Sequence, residues 1–255
     1  MKNPPLIFVT NDDGIDAPGL LSLIETVRDM GEVVVLAPEN GQSGMSHALT
    51  VKDVLRVHKV REEQGLTMYK CNGTPVDCLK IARHKILDRQ PDICLSGINH
   101  GSNSSINVIY SGTVAAALEG AMYGIPSVAF SIHDFSMNAD FASKAPLIRK
   151  IVSETLKNKL PQDVCLNVNI PKLPGDEIRG IRICRQAPAH WKDDYVERED
   201  PFHRKYYWLT GYFECLDTAE DTDEWALKNG YVSIVPVQVD FTDYPTIDML
   251  KNWVL

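Results

Sequence analysis

Apolar residues in this chain fall into short runs separated by helical stripes, and the alternation repeats several times. Leu6-Ile7-Phe8-Val9 is a β-favouring run suited to a strand buried on both faces, and Glu32-Val33-Val34-Val35-Leu36-Ala37-Pro38 is a second. Between them Pro18 fits a first helical position, and Leu20, Leu21, Leu23, Ile24 and Val27 lay out an apolar helical face that Gly31 ends. Strand, helix and strand within about thirty residues make a parallel crossover unit. Residues 91–97, 125–131 and 165–170 predict further buried strands. Helices are predicted from the Asn72-Gly73-Thr74-Pro75 cap to about Leu87, from Ser111-Gly112-Thr113 onward, and from roughly Ala139 to Lys157.

Two segments break this rhythm. Leu49, Val51, Leu55 and Val57 alternate with polar residues, and with Leu66–Cys71 they predict an antiparallel hairpin. From Ile178 to about Tyr212, β-like stretches such as Ile181–Cys184 and Tyr206–Leu209 alternate with polar runs, which predicts a projecting arm. Its aromatics Tyr206, Tyr207, Trp208, Tyr212 and Phe213 fit either contact with another subunit or a core strand of the same subunit. The tail predicts a short helix after Asp221–Trp225, a strand at Tyr231–Val237 and a last helix near Thr246–Trp253.

The polar loops between these elements carry the candidate chemistry. Asn11-Asp12-Asp13-Gly14 follows the first strand, Glu39–His47 with Ser43 follows the second, and Ile98–Asn103 with Asn99 follows the strand at 91–97. In an open parallel sheet the crevice beyond the strands' carboxyl ends is where ligands bind, so the three loops converge there. Asp12 and Asp13 repel each other unless something positive lies beside them. Taken alone, each loop also has a plain structural explanation as a turn or helix cap. Free amides at the start of the Ser111–Thr113 helix, with the Ser111 and Thr113 hydroxyls, form an anion site beside the third loop; ordinary capping by Ser111 is the alternative.

Composition narrows the classes. A length of 255 residues suits one large α/β domain. The formal charge of −8, from 26 Lys and Arg against 34 Asp and Glu, gives no footprint for a nucleic-acid duplex or an anionic membrane. The six cysteines are dispersed without a two-residue-spaced pair, and neither a charged-then-apolar leader nor a membrane-length apolar run is present, so a cytoplasmic location is expected. Asp12, Asp13, Ser43 and Asn99 offer hard oxygen ligands with two charges, which suit magnesium or manganese better than a structural zinc. Such a cation would accept a phosphate oxygen while the amides and hydroxyls at Ser111, Gly112 and Thr113 hold others, a phosphomonoester site. Neither a phosphate-loop lysine signature nor a dinucleotide glycine fingerprint follows the first strand.

The same residues resemble a known family. Asn11–Gly14 with Ala17-Pro18-Gly19, Ser43–Ser46, Gly73–Cys78, Ser96–Gly101, Tyr110–Gly120 and Gly230–Ile234 are similar, in order, to motifs of the SurE family of 5'-nucleotidases. The resemblance implies a Rossmann-like, mostly parallel sheet with helices on both faces, a projecting β-hairpin arm and an exchanged C-terminal element. On that basis residues 1–255 form a single domain, with 178–215 as oligomerisation arm and 230–255 as C-terminal element. It implies a metal-dependent phosphatase acting on nucleoside 5'-monophosphates, with 3'-monophosphates and short polyphosphate as further substrates in some members. Asp12, Asp13, Ser43 and Asn99 correspond to its ligands for one divalent cation per subunit, and Asn103, Ser111, Gly112 and Thr113 to its phosphate contacts. Asp12, Asp13 and Asn99 are the expected catalytic residues, in a homodimer or homotetramer. The sequence departs from some relatives at Ser104-Ser105-Ile106-Asn107, where they carry acidic residues, a difference that bears on loop closure and substrate range. Direct attack by water and a covalent route through Asp12 both remain open. The alternatives are a nucleotide-binding regulator and a broad phosphatase of small metabolites.

Overall fold

A computed structural model describes residues 4–136 and 138–253. Its strands are β1 (Leu6–Thr10), β2 (Glu32–Pro38), β3 (Val57–Glu63), β4 (Leu66–Cys71), β5 (Ile93–His100), β6 (Ser127–Ile132), β7 (Val164–Ile170), β8 (Ile181–Ile183), β9 (His190–Glu199), β10 (Lys205–Glu214) and β11 (Val232–Gln238). The helices are α1 (Pro18–Val27), α2 (Pro75–Ile81), α3 (Gly112–Met122), α4 (Ala145–Asn158), α5 (Asp223–Lys228) and α6 (Tyr244–Leu250).

Nine strands form one sheet in the order β3-β4-β2-β1-β5-β6-β7-β11-β8. From β4 to β7 every neighbour pair is parallel, and antiparallel pairing enters at β3 with β4 and at β11 with β7. Successive side chains on a strand point to opposite faces, so β1 feeds two cores. Ile7 and Val9 pack with Leu20, Leu23 and Ile24 of α1 and Ile148 and Val152 of α4. Phe8 packs on the other face with Cys78 and Leu79 of α2, and Val114 and Ala117 of α3 pack beside Ala129 of β6. Burying each such large apolar side chain contributes about 1.5–3 kcal/mol, so α/β packing on both faces of the central strands carries the stability. The chain runs outward from β1 to β2 and β4, then returns to place β5 on its other side. The gap between the ends of β1 and β5 is therefore the topological switch point.

Several boundaries differ from expectation. The hairpin before α2 pairs β3 with β4 across Gln64-Gly65, and residues 49–56 lie outside it. Val51 and Val54 are exposed, because the apolar alternation there has no partner strand to pack against. The helix expected from Ala139 begins at Ala145, since Pro146 falls in its first turn, where a missing N–H costs nothing. Thr74 caps α2 with Asp77 in a reciprocal capping box, and the helix gives way to a π turn over Ala82–Ile86. β5 runs on to His100 because its pairing with β6 shifts register between Ser96 and Asn99 and then resumes. The projecting hairpin is β9 and β10 alone, joined to each other and not to the main sheet. Residues 181–183, expected in the arm, pair in parallel with β11 at the sheet's edge. Residues 254–255 of the expected C-terminal element lie outside the described residues.

Candidate active site

The β1 turn is closed by its own side chain, with Asn11 Nδ2 donating to the Gly14 carbonyl at 2.9 Å. The next loop is laid on it: Gln42 N–H donates to the Asp12 carbonyl at 2.7 Å, and Ile15 N–H donates to that of Pro38 at 2.8 Å. Asp12 itself is buried, and the Thr113 hydroxyl donates to its Oδ1. Gly112 makes this approach possible. A Cβ there would lie 2.9 Å from Asp12 Cβ and 3.1 Å from Oδ2, so a larger residue would push the helix start away from the carboxylate.

Burial pushes the Asp12 carboxyl up to about 6, with repulsion from Asp13 adding to it and the Thr113 hydrogen bond opposing it. Asp13 is half-buried and accepts from the His100 backbone N–H at 3.2 Å; burial raises its pKa as well. Among the described residues neither carboxylate has a Lys or Arg partner. Asn11 Oδ1, next in sequence, is buried without a hydrogen-bond partner among them. Two adjacent carboxylates without a Lys or Arg partner, beside an unpartnered buried oxygen, fit a divalent cation. No group of three or more His, Cys, Asp and Glu among the described residues is placed to hold a metal, so such a site would lean on neutral oxygens.

A cavity of about 230 Å³ gathers Asp12, Ser43, Asn99, Asn103 and Ser111 along its lining. Asp13, Gly112 and Thr113 lie outside that lining; Asp13 joins it through His100, and the other two join it through Asp12. Ser43 is exposed on the loop after β2. That loop is pinned by Ser46, which donates from its hydroxyl to the Ile109 carbonyl at 2.6 Å, and by His47, whose Nε2 lies 2.8 Å from Glu119 Oε2. Asn99 donates through Nδ2 to the Gly101 carbonyl at 2.7 Å, an arrangement that fixes which end of the amide is spent. The Ser111 hydroxyl accepts from Val114 N–H at 3.0 Å, so it acts as the cap of α3. The first-turn amides of Gly112 and Thr113 have no intrahelical partner by the geometry of a helix start.

Asn103 was expected as a phosphate contact, but the residues that hold it were not. Asn103 is buried in a polar network: its N–H donates to Asn169 Oδ1 and its Nδ2 to Ser131 Oγ, each at 2.8 Å, while its carbonyl accepts from Asn167 Nδ2. Asn167 and Asn169 alternate along a strand that is otherwise apolar, and that period-two pair of amides was the available signal. Asn107, Phe135 and Trp191 also line the cavity, and Trp191 brings the base of the β9–β10 hairpin to it through a 2.8 Å bond from Nε1 to Asn107 Oδ1.

Comparison with known proteins is consistent over the whole chain. The family model of "Survival protein SurE" matches residues 7–193. The chain is 54% identical over 252 residues to a protein of Flavobacterium johnsoniae named 5'-nucleotidase SurE, covering 98% of this chain and 97% of that one. It is 54% identical over 256 residues to the Christiangramia forsetii protein of the same name, covering 100% and 98%. Among solved structures, the SurE protein of Aquifex aeolicus superposes with a TM-score of 0.84 at 38% identity, covering 97% of this chain and 98% of that one.

Proposed function

The chain belongs to the SurE family, and from that premise we infer that it is a 5'-nucleotidase, a phosphoric monoester hydrolase releasing phosphate from nucleoside 5'-monophosphates. The observation that carries the inference to particular residues is the Asp12–Asp13 pair at the switch point, without a Lys or Arg partner among the described residues and with Asp12 against the start of α3. Asp12, Asp13, Ser43 and Asn99 would hold one divalent cation, magnesium or manganese, which when bound polarises the phosphoryl group and acidifies water.

The remaining steps fall to the protein's own groups. The Gly112 and Thr113 amides, with Asn103 and Ser111 in the same pocket, bind phosphoryl oxygens at the positive end of α3. Thr113 fixes the rotamer of Asp12 through its hydroxyl. The His100 N–H does the same for Asp13. Water attacks phosphorus as the bond to the 5' oxygen breaks, and the departing alkoxide takes up a proton to give the nucleoside.

The family-implied assembly is a homodimer or homotetramer, with β9–β10 as its arm and the segment after β11 as the exchanged element. Six unpaired cysteines support a reducing, cytoplasmic compartment, and no helix among the described residues is long and apolar enough to cross a membrane. The test is phosphate release from nucleoside 5'- and 3'-monophosphates with metal chelated and then with magnesium or manganese restored. Metal-restored release, strongest on nucleotides, is expected; nucleotide binding without release under any metal would point to a regulator instead.

A further inference from the structure

We propose that the base of the nucleotide stacks on Phe135, at the mouth of a second cleft that adjoins the phosphate site. The proposal rests on the nucleotidase activity inferred above. Phe135 follows β6, is 73% exposed, and lines both the small cavity at Asp12 and a larger one of about 650 Å³. A bare aromatic shared by two adjoining cavities is not explained by packing.

The ring is held in place from beside and below. His133 meets it edge-on with centroids 6.3 Å apart at 85°, and a Cβ at Gly101 would come within 2.5 Å of its Cε1, so glycine lets the ring lie down on that loop. The same loop joins the two cavities. Its Gly101–Asn103 portion lines the smaller one, while the Ser104 hydroxyl donates to Glu224, which lines the larger, at 2.5 Å.

The larger cleft is lined by apolar Leu173 and Leu227 and by a few polar groups, among them Glu224 and Lys172, whose Nζ also lies 2.8 Å from Asp134 Oδ1. A nucleobase has the matching chemistry: flat apolar faces for the ring, and an edge of N–H donors and lone pairs for a carboxylate and an ammonium. Tyr110 also borders the small cavity but not the larger cleft, so stacking there would leave the base edge without those partners.

The experiment compares adenosine 5'-monophosphate with glycerol 2-phosphate, which has no base, using the full-length protein supplied with magnesium or manganese. In Phe135→Ala the ratio of kcat/KM for the nucleotide to that for glycerol phosphate is expected to fall about tenfold, through KM, as loss of one base–aromatic stack predicts. Phe135→Leu keeps apolar bulk over Gly101 but removes the flat ring, and gives the same fall; Phe135→Trp restores the ratio. An unchanged ratio, or equal losses on both substrates in all three variants, overturns the stacking site and leaves the phosphatase standing. No release from either substrate by the unaltered protein overturns the nucleotidase inference beneath it.

Discussion

Asp12 is fixed at three points: its carbonyl accepts from Gln42, its carboxylate from Thr113, and its Cβ lies where only a glycine at position 112 leaves room. A side chain so constrained, buried and pushed up to about 6, destabilises the fold at neutral pH unless a cation compensates it. Binding to the native state alone then stabilises by mass action, about 2.7 kcal/mol at a hundredfold excess over Kd. For a chain of this size that is roughly 5–10 °C in Tm. Asp12→Asn keeps the shape and loses the charge, so magnesium or manganese should raise its Tm by far less, and its turnover should fall steeply. Calorimetry with and without the cation checks this, and an equal Tm shift in both proteins would count against Asp12 as a ligand. Asp12 and Asp13 were legible in sequence because they stand directly after an apolar run, where a buried strand must end. Asn103 was expected through the family motif, but the network that buries it was not legible, since Ser131, Asn167 and Asn169, which hold it, come from strands 28 to 66 residues away.

The loop after β2 is a long polar segment that a strand and a helix hold from both ends. Its clamp is Glu119, buried on α3, with His47 Nε2 at 2.8 Å and Lys80 Nζ at 2.5 Å. Burial works against the ionised carboxyl, yet the hydrogen bonds from His47 and Lys80 outweigh it and hold the group at about 2, below the ordinary 4.5. A depressed carboxyl stabilises the fold fully above its unfolded value, and that contribution disappears as pH falls from about 4.5 towards 2. Glu119→Gln should therefore cost roughly 1.5–3 kcal/mol at pH 7, and should flatten the stability profile between those two pH values. Urea unfolding across that range measures both, and parallel profiles for the two proteins would show that Glu119 is not the clamp. In the sequence Glu119 reads as one charge on a small-residue helix, because both its partners arrive from other elements. Helix starts were more legible where local chemistry marks them: Thr74 announced α2, and Pro146 carried the true start of α4 in plain view.

At the scale of the molecule, the repeated strand–helix pattern specified a parallel sheet and placed three loops at one edge. The sheet's far edge depends on long-range pairing that no local pattern encodes, as with β11 joining β7 antiparallel and β8 joining β11 in parallel. Two features remain unburied in a single chain. The β9–β10 ribbon presents Tyr195, Tyr207, Trp208, Leu209 and Tyr212 to water, and α6 has no buried residue although Tyr244, Met249 and nearby Phe241 and Trp253 are exposed. A two-stranded ribbon is marginal by itself, and apolar surface of this extent belongs against a partner. A second copy of the chain is the partner that the family resemblance implies. Sedimentation at micromolar concentration should accordingly show a homodimer or homotetramer. Trp208 stands well out from the ribbon, so Trp208→Glu removes a large aromatic anchor and places a charge in the interface without touching the monomer's core. It should weaken assembly about tenfold or more, since central aromatic contacts commonly carry at least that share. A wild-type protein that sediments as a monomer would leave the ribbon's aromatics without a role in assembly. An oligomer indifferent to Trp208→Glu would move the contact to α6 and the segment around it. Because Trp191 ties the base of the ribbon to the cavity through Asn107, a change in assembly should also be felt in nucleotide KM, which links the arm to the site.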